Sequence, residues 1–388
     1  MSRPVFYFTR MVPVYRFPVL ERLNERLDGR LVVCAGQPPR TSSLRSLTKE
    51  RFHGFRQVRL RNVWFRGEAL HAQPFRKVFR DVGPAGVVLA EESPRSLSLP
   101  WLLRYARRRG AGRLLWGHFS SNDRAFSLRR PADRYRLALA RSVEACVCYT
   151  EPIAEVLRPY VPAERLFVAR NTLDTDTLFA LHDTLAAEGR AAVRRRLGLS
   201  ADVPVLIFIG RLIKPKGTDR LLDVFRAFRA RRAAHLLVVG AGPEQGAMED
   251  RVAREAIAGV HFLGALPAWA DSAPYLYAAD LMLMPGYLGL AVNHAFAFGL
   301  PVVSQAAPDP AIRFHSPEVA YVQPGENGLL APSGDPADLL HAVEQVLADQ
   351  PRFSQNALAY ARAHLTLDQM VDGLEAAIRF VETECSGV

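Results

Sequence analysis

Short, almost wholly apolar runs recur along this 388-residue chain, and helical periodicity fills the gaps between them. The first half offers VFYFT (5–9), LVVCAG (31–36), VGPAGVVLAEE (82–92), RLLWGHF (113–119), ACVCYTE (145–151) and RLFVARN (165–171). The basic segment 51–66 adds a further strand around 58–65. Helical patterns fall at 19–27, 101–109, 131–142 and 153–160; the first places Val19, Leu20, Leu23 and Leu27 on one face. Runs of this length with no polar alternation read as strands buried on both sides, and strands separated by helices predict a parallel sheet with helices on both faces. Residues 172–203 break the rhythm, being polar and rich in Ala and Arg, with helix potential but no strand. It then restarts with PVLIFIG (204–210), HLLVVG (235–240), VHFLG (260–264), LMLM (281–284) and VVS (302–304), with helices at 218–231, 246–257 and 270–278 and an almost wholly apolar helical segment that Gly299 stops. Short strands near 320–325 and 328–332, a helix over 336–348 and a last helical run over 354–384 complete the chain. The expected fold class is α/β, with two Rossmann-like domains in tandem, facing each other across a cleft: 1–172, a connection 173–203, and 204–353.

The length fits two domains better than one, and an apolar fraction of 49% lets each build a core. No apolar run approaches the roughly 20 residues that cross a bilayer. The opening MSRPVFYFTRMVPVYRF is broken by Arg and Pro and does not read as a secretory leader. Cys34, Cys146, Cys148 and Cys385 lack zinc-ligand spacing, so a reduced cytoplasmic protein is expected. The formal charge of +11 conceals a split: residues 1–172 carry 32 basic and 14 acidic side chains, and the remainder 18 and 25. Such a first half suits an anionic membrane surface or a phosphorylated acceptor, unless its arginines are only a solvated coat. Nucleic acid is set aside, because no reading motif or aromatic stacking platform accompanies the charge.

Ligands of open α/β sheets bind at the carboxyl ends of strands, and three loops of the second half sit there. In GRLIKPKG (210–217), Arg211 and Lys216 bracket a tight turn. A guanidinium fork with a mobile ammonium suits a diphosphate. Two of the chain's four lysines fall in this loop; the plainer alternative is two exposed charges. VVGAGPE (238–244) is a weak G-x-G signal that equally fits a tight turn. The third loop, PGYLGLAVNHAFAFGLPVV (285–303), offers Gly286 and Gly289 before an apolar helix, whose amino end and unpaired N–H groups attract anions. Asn293 and His294 interrupt that helix, and His294 is placed to lean back toward the loop mouth.

The order G-R-L-x3-K-G, L-L-V-V-G-x-G-P, V-x-F-L-G, P-x3-G-L with A-x-A-x-G-x-P-V-V, then G-E-N-G-L-L resembles the retaining glycosyltransferases of family 4. The resemblance covers about 205–348 strongly and extends loosely into the first half through TRMVPVYRFPVLERL, LWGHF and ARNTLDTDTLF. It implies the GT-B fold, with the last helix, 354–388, returning to the N-terminal domain. It also implies a nucleoside diphosphate sugar on the second domain and no metal cofactor. Arg211 and Lys216 would hold the pyrophosphate and stabilise charge building on the leaving group. Gly210 would border them; Gly286, Tyr287, Leu288, Gly289, Leu290 and Ala291 would hold the sugar and distal phosphate, and Gly264 and Leu266 the base. His118 matches a histidine near the reacting centre. Similar enzymes carry two glutamates where this chain has Gly286 and His294. His294 can accept a ribose hydroxyl; Gly286 cannot replace a carboxylate, which leaves Glu318 or Glu326 as substitute acids. The implied activity is glycosyl transfer to a saccharide or lipid-linked saccharide in surface-polysaccharide synthesis, by a cytoplasmic protein, peripheral at the inner membrane face in the reading that favours the basic half. A non-catalytic sugar-nucleotide or glycan-binding relative is the alternative that the missing glutamates motivate.

Three further features carry two readings each. Asp174 and Asp176 in LDTDTL suit a metal or, better, a helix start. Tyr15 and Arg16 in the first βα loop suit the acceptor side or a plain surface loop. The segment 97–109 combines Trp101 with Arg104, Arg107, Arg108 and Arg109, which fits either an anionic membrane interface or core packing with a solvated basic face.

Overall fold

The computed structural model describes residues 3–38, 54–121, 124–309 and 314–386. The ends of some expected stretches, residues 1–2, 51–53 and 387–388, lie outside the described residues. Two compact units result: residues 1–121, 125–173 and 367–388 form the first, and 122–124 with 174–366 the second.

The first unit runs β1 (Val5–Thr9), α1 (Phe17–Arg26), β2 (Leu31–Ala35), β3 (Arg56–Arg59), β4 (Val63–Phe65), β5 (Leu70–Ala72), α2 (Arg76–Val82), β6 (Val87–Glu91), α3 (Leu99–Arg108), β7 (Gly112–Gly117), α4 (Pro131–Arg141), β8 (Ala145–Cys148), α5 (Glu151–Leu157) and β9 (Leu166–Val168). Seven strands form one parallel sheet in the order β3-β2-β1-β6-β7-β8-β9. The strand expected around 58–65 is two pieces, because β3 joins this sheet while β4 turns back onto β5 as a separate antiparallel pair.

The second unit begins where a linker was expected. α6 (Thr175–Glu188) and α7 (Arg190–Arg196) bury Leu178, Leu185 and Val193 in its core. Asp174 caps α6, accepting the Thr177 N–H at 3.2 Å, which settles the Asp-Thr-Asp stretch as a helix start. Arg194 and Arg190 reach Asp280 at 2.7 and 3.0 Å, and Asp280 also accepts the Val205 N–H, so charge stitches α7 to the sheet. The unit continues with β10 (Val205–Ile209), α8 (Thr218–Arg231), β11 (His235–Val239), α9 (Gln245–Arg254), β12 (Val260–Gly264), α10 (Trp269–Ala278), β13 (Leu281–Met284), α11 (Ala291–Ala297), β14 (Val302–Gln305), β15 (Gly328–Ala331), α12 (Pro336–Ala348) and α13 (Gln350–His364). Its six strands are parallel, in the order β12-β11-β10-β13-β14-β15. No strand forms at 320–325; Pro317 opens a 3-10 turn, Pro317–Tyr321, instead.

The last helical run is two helices. α13 stays with the second unit, and α14 (Leu367–Ser386) belongs to the first. α14 buries Leu367, Met370, Val371, Leu374, Ala377, Ile378 and Val381 against the α1-bearing face of the first sheet. That spacing is a helical stripe, and burying such side chains contributes about 1.5–3 kcal/mol each for the larger ones.

Candidate functional site

In the second unit the strand order reverses at β10: β11 and β12 lie on one side, and β13 to β15 on the other. Connections leaving β10 and β13 therefore diverge to opposite faces and open a crevice at the strand ends, the usual ligand site of a doubly wound sheet. The loops flanking it are 210–217 and 285–291.

These loops meet backbone to backbone. The Tyr287 N–H donates to the Pro215 carbonyl at 2.8 Å. A Cβ on Gly286 would stand 2.3 Å from that same oxygen and 2.6 Å from the Gly217 nitrogen, so only glycine permits the approach. Lys216 Nζ donates to the Tyr287 carbonyl at 2.7 Å and lies 5.0 Å from its ring. Burial, reinforced by the Arg211 charge and partly offset by Glu318, brings the Lys216 ammonium down to about 8. Arg211 itself is exposed. Lys216 thus stands against the 286–288 segment, and Arg211 lies near enough to act on its charge.

Sequence reasoning missed what supports this loop from behind. The Leu288 N–H donates to His315 Nδ1 at 3.0 Å, and His315 Nε2 donates to the Gln305 carbonyl at 2.8 Å. This pair of bonds fixes one neutral tautomer. Burial lowers the His315 pKa to about 4 against the opposing Gln305 bond, so the ring stays neutral at pH 7. The Tyr287 hydroxyl bonds Ser316 Oγ, and the Ser316 N–H donates to the Leu288 carbonyl at 3.1 Å. Only the density of polar residues in HSPE hinted at such a role, because its partners lie 27 and 29 residues away.

Glu318, 2% exposed on the 3-10 turn, acts electrostatically on Lys216. Glu326 stands elsewhere: its carboxylate accepts from Asn356 at 3.2 Å and lies 3.9 Å from Arg352 of α13. Of the two substitute acids, the structure brings only Glu318 to Lys216.

Leu290 and Ala291 lead into α11, a helix of 7 residues that ends just ahead of Gly299 as expected, and its dipole is small. At Gly289 a Cβ would meet nothing closer than 3.6 Å, so packing does not demand glycine there. The His294 ring lies edge-on to Trp269 with centroids 4.5 Å apart. Burial lowers its pKa to about 4, and neither ring nitrogen meets a hydrogen-bond partner. Hidden polar nitrogens left without protein partners are uncommon. Gly264 and Gly210 sit in a row of strand ends: the Gly240 N–H donates to the Gly264 carbonyl at 2.8 Å, and a Cβ on Gly240 would be 1.8 Å from the Gly210 oxygen. The G-x-G of 240–242 thus packs one loop against the next. Leu266, half-buried, follows the edge strand β12.

In the first unit His118 follows β7, its ring 4.7 Å from that of Tyr149. Arg16 is no surface residue. It is 6% exposed, donates to Asn171 Oδ1 at 2.6 Å, and sits 5.0 and 5.8 Å from the rings of Trp116 and Tyr149. Its charge is spent inside the unit, and the neighbouring Tyr15 is half-buried.

Residues 203–349 match the family model described as "Glycosyl transferases group 1", a span holding every second-unit loop described above. The second unit carries a group 1 glycosyl transferase domain. The chain is 28% identical over 249 residues to the lipopolysaccharide core biosynthesis glycosyltransferase LpsE of Rhizobium meliloti, covering 63% of this chain and 65% of that one. It is 32% identical over 210 residues to a D-inositol 3-phosphate glycosyltransferase of Geodermatophilus obscurus, covering 50% and 44%. The matches thus span less than two thirds of either relative's length. Among solved structures, Anabaena Alr3699/HepE in complex with UDP aligns at a TM-score of 0.69 and 18% identity, over 97% of this chain and 98% of that one. The group 1 transferase resemblance and the GT-B fold expected from the sequence both hold.

Proposed function

We propose that this protein moves a glycosyl group from a nucleoside diphosphate sugar to a saccharide or lipid-linked saccharide, with retention at the anomeric carbon and without a metal ion, in the synthesis of a surface glycan. The observation that carries this reading is the crevice at the β10/β13 switch, where Lys216 bonds the Tyr287 carbonyl and Arg211 acts on the Lys216 charge. Two cations there can hold a diphosphate and stabilise the charge that develops as it leaves. The unpartnered His294 nitrogens suit ribose hydroxyls. Relatives named as glycosyltransferases and a structural neighbour holding UDP support the donor class. A non-catalytic, nucleotide-sugar-binding reading is favoured by one fact: Gly286 has no room for the side chain that similar enzymes carry there. A panel of nucleotide sugars, run with and without chelator, separates the two. Release of nucleoside diphosphate that chelator leaves unchanged is expected; binding without turnover in every case would leave the alternative standing.

We place the acceptor side at an anionic lipid surface. A groove between α3 and α4 is lined by Arg104, Arg107, Arg108 and Arg141, and these four are exposed. Trp101 on α3 is 67% exposed and Leu97 45%, so this tryptophan is not core. An exposed aromatic beside arginines fits a headgroup interface, at about 1 kcal/mol per basic residue. No described helix is long and apolar enough to cross a membrane. Sedimentation with phosphatidylglycerol vesicles should capture the protein, phosphatidylcholine vesicles should not, and Trp101→Ala should weaken capture several-fold. Equal capture by both lipids would count against this surface.

A further inference from the structure

We infer that Glu92 is the positioning residue of the His118 segment, gripping its backbone from both sides. This rests on reading His118 as a participant in glycosyl transfer. Glu92 follows β6, beside β7, and its N–H donates to the Trp116 carbonyl at 2.9 Å. Its side chain covers Gly117 so closely that a Cβ there would lie 2.6 Å from the Glu92 Cβ. Its Oε2 accepts the Phe119 N–H at 3.1 Å. His118 is thus suspended between a residue that must be glycine and one whose amide is captured.

Phe119 takes φ +49° with its ring 1% exposed. A left-handed backbone costs an ordinary residue about 1–2 kcal/mol, and it persists where the surroundings impose it. Here the carboxylate and the buried ring impose it together. The other carboxylate oxygen lies 3.4 Å from Arg136 Nε of α4, while Arg136 also pairs with Asp133 at 3.0 Å. Asp133 of α4 and Glu91 of β6 are the acidic groups that act on it, and Tyr135 of α4 also interacts with it. Cys146 and Cys148 of β8 are the thiols facing it, held neutral by burial.

Burial pushes the Glu92 carboxyl up to about 7, against the opposing pull of Arg136 and the Phe119 amide. Below that pH it takes up a proton, becomes a poorer acceptor for the amide, and leaves Arg136 with Asp133 alone. The His118 segment then loosens, and turnover gains an acid limb.

Two measurements test this. In protein labelled with 15N-phenylalanine, the Phe119 amide should titrate with a midpoint near 7 in the wild type and stay flat in Glu92→Gln. With UDP-glucose as the probe donor, Glu92→Gln should lower kcat roughly 10- to 100-fold, as misplacement of a reacting group does. KM for the donor should stay within about two-fold, and Glu92→Asp should recover part of the rate. A Phe119 amide that does not titrate in the wild type, or a Glu92→Gln enzyme with unchanged kcat and pH profile, overturns the clamp. Full turnover in His118→Ala would instead remove the role assigned to His118, while the amide titration would still read the clamp.

Discussion

Lys216→Ala should reduce transfer by at least about 10²–10³-fold, the usual loss when one preorganised donor to a developing anion is removed. The lysine does two jobs. One of its hydrogens is committed to the Tyr287 carbonyl at 2.7 Å, which ties the 210–217 loop to the 285–291 loop. The others remain for a phosphate in the crevice. Removing the side chain loses both the charge and the tie, so donor affinity and turnover should fall together. Lys216→Arg separates the two roles, because it keeps the charge but cannot repeat the ammonium geometry against Tyr287. A pH signature distinguishes a charge role from a steric one. With the ammonium brought down to about 8, mainly by burial, the unliganded site loses its charge as pH rises through that value. Nucleoside diphosphate affinity should therefore weaken from pH 7 to pH 9 in the wild type, and stay level in Lys216→Arg. Calorimetric titration at several pH values reads this directly. Retained turnover in Lys216→Ala would remove the diphosphate clamp from the mechanism. Arg211→Ala, which takes away an exposed second cation, should give a similar loss with the fold intact.

Both sheets were legible because every sheet strand but β3 is an apolar run, and the interval between runs sets the crossover. Lys216 was legible for a simpler reason: lysine is rare in this chain, and a rare residue at a strand end stands out. What stayed hidden depends on contacts far apart in sequence. Nothing local to Arg16 announces that Trp116, Tyr149 and Asn171 will enclose it. His315 is one histidine among ten until β13 and β14 pair and bring it under Leu288. α6 and α7 looked like a linker because their buried residues, Leu178, Leu185 and Val193, are sparse among polar ones. Glu92 merely closes the apolar run VGPAGVVLAEE in the sequence, and only the left-handed Phe119 beside it shows what it holds.

Reinstating a glutamate at Gly286 should fail, although comparison of motifs invites it. The backbone at 286 is ordinary, since its φ is not among the positive values, so the obstacle is packing alone. A Cβ would sit 2.3 Å from the Pro215 oxygen, 2.4 Å from the Lys216 carbonyl carbon and 2.6 Å from the Gly217 nitrogen. All three are main-chain atoms, and no side chain can swing away to make room. Overpacking of this kind costs about 1–3 kcal/mol or more. Relief requires the loops to part, which breaks the Tyr287 to Pro215 and Lys216 to Tyr287 bonds together. Even Gly286→Ala should therefore lower Tm by several degrees and weaken nucleotide binding at least about ten-fold, roughly 1.4 kcal/mol. Gly289→Ala is the matched control. Its Cβ would find only ordinary contacts, the nearest at 3.6 Å to Ser316 Oγ, so Tm should hold while any loss of nucleotide affinity reports on the ligand alone. Thermal melts of both variants, with and without UDP, give the four numbers needed. An unchanged melt for Gly286→Ala would mean that the two loops are not held as described. A lower melt for Gly286→Ala with an unchanged one for Gly289→Ala would show that the closure of one loop upon the other is what excludes a side chain, and so a carboxylate, at position 286. Its acid would then have to come from a residue such as Glu318, which already acts on Lys216.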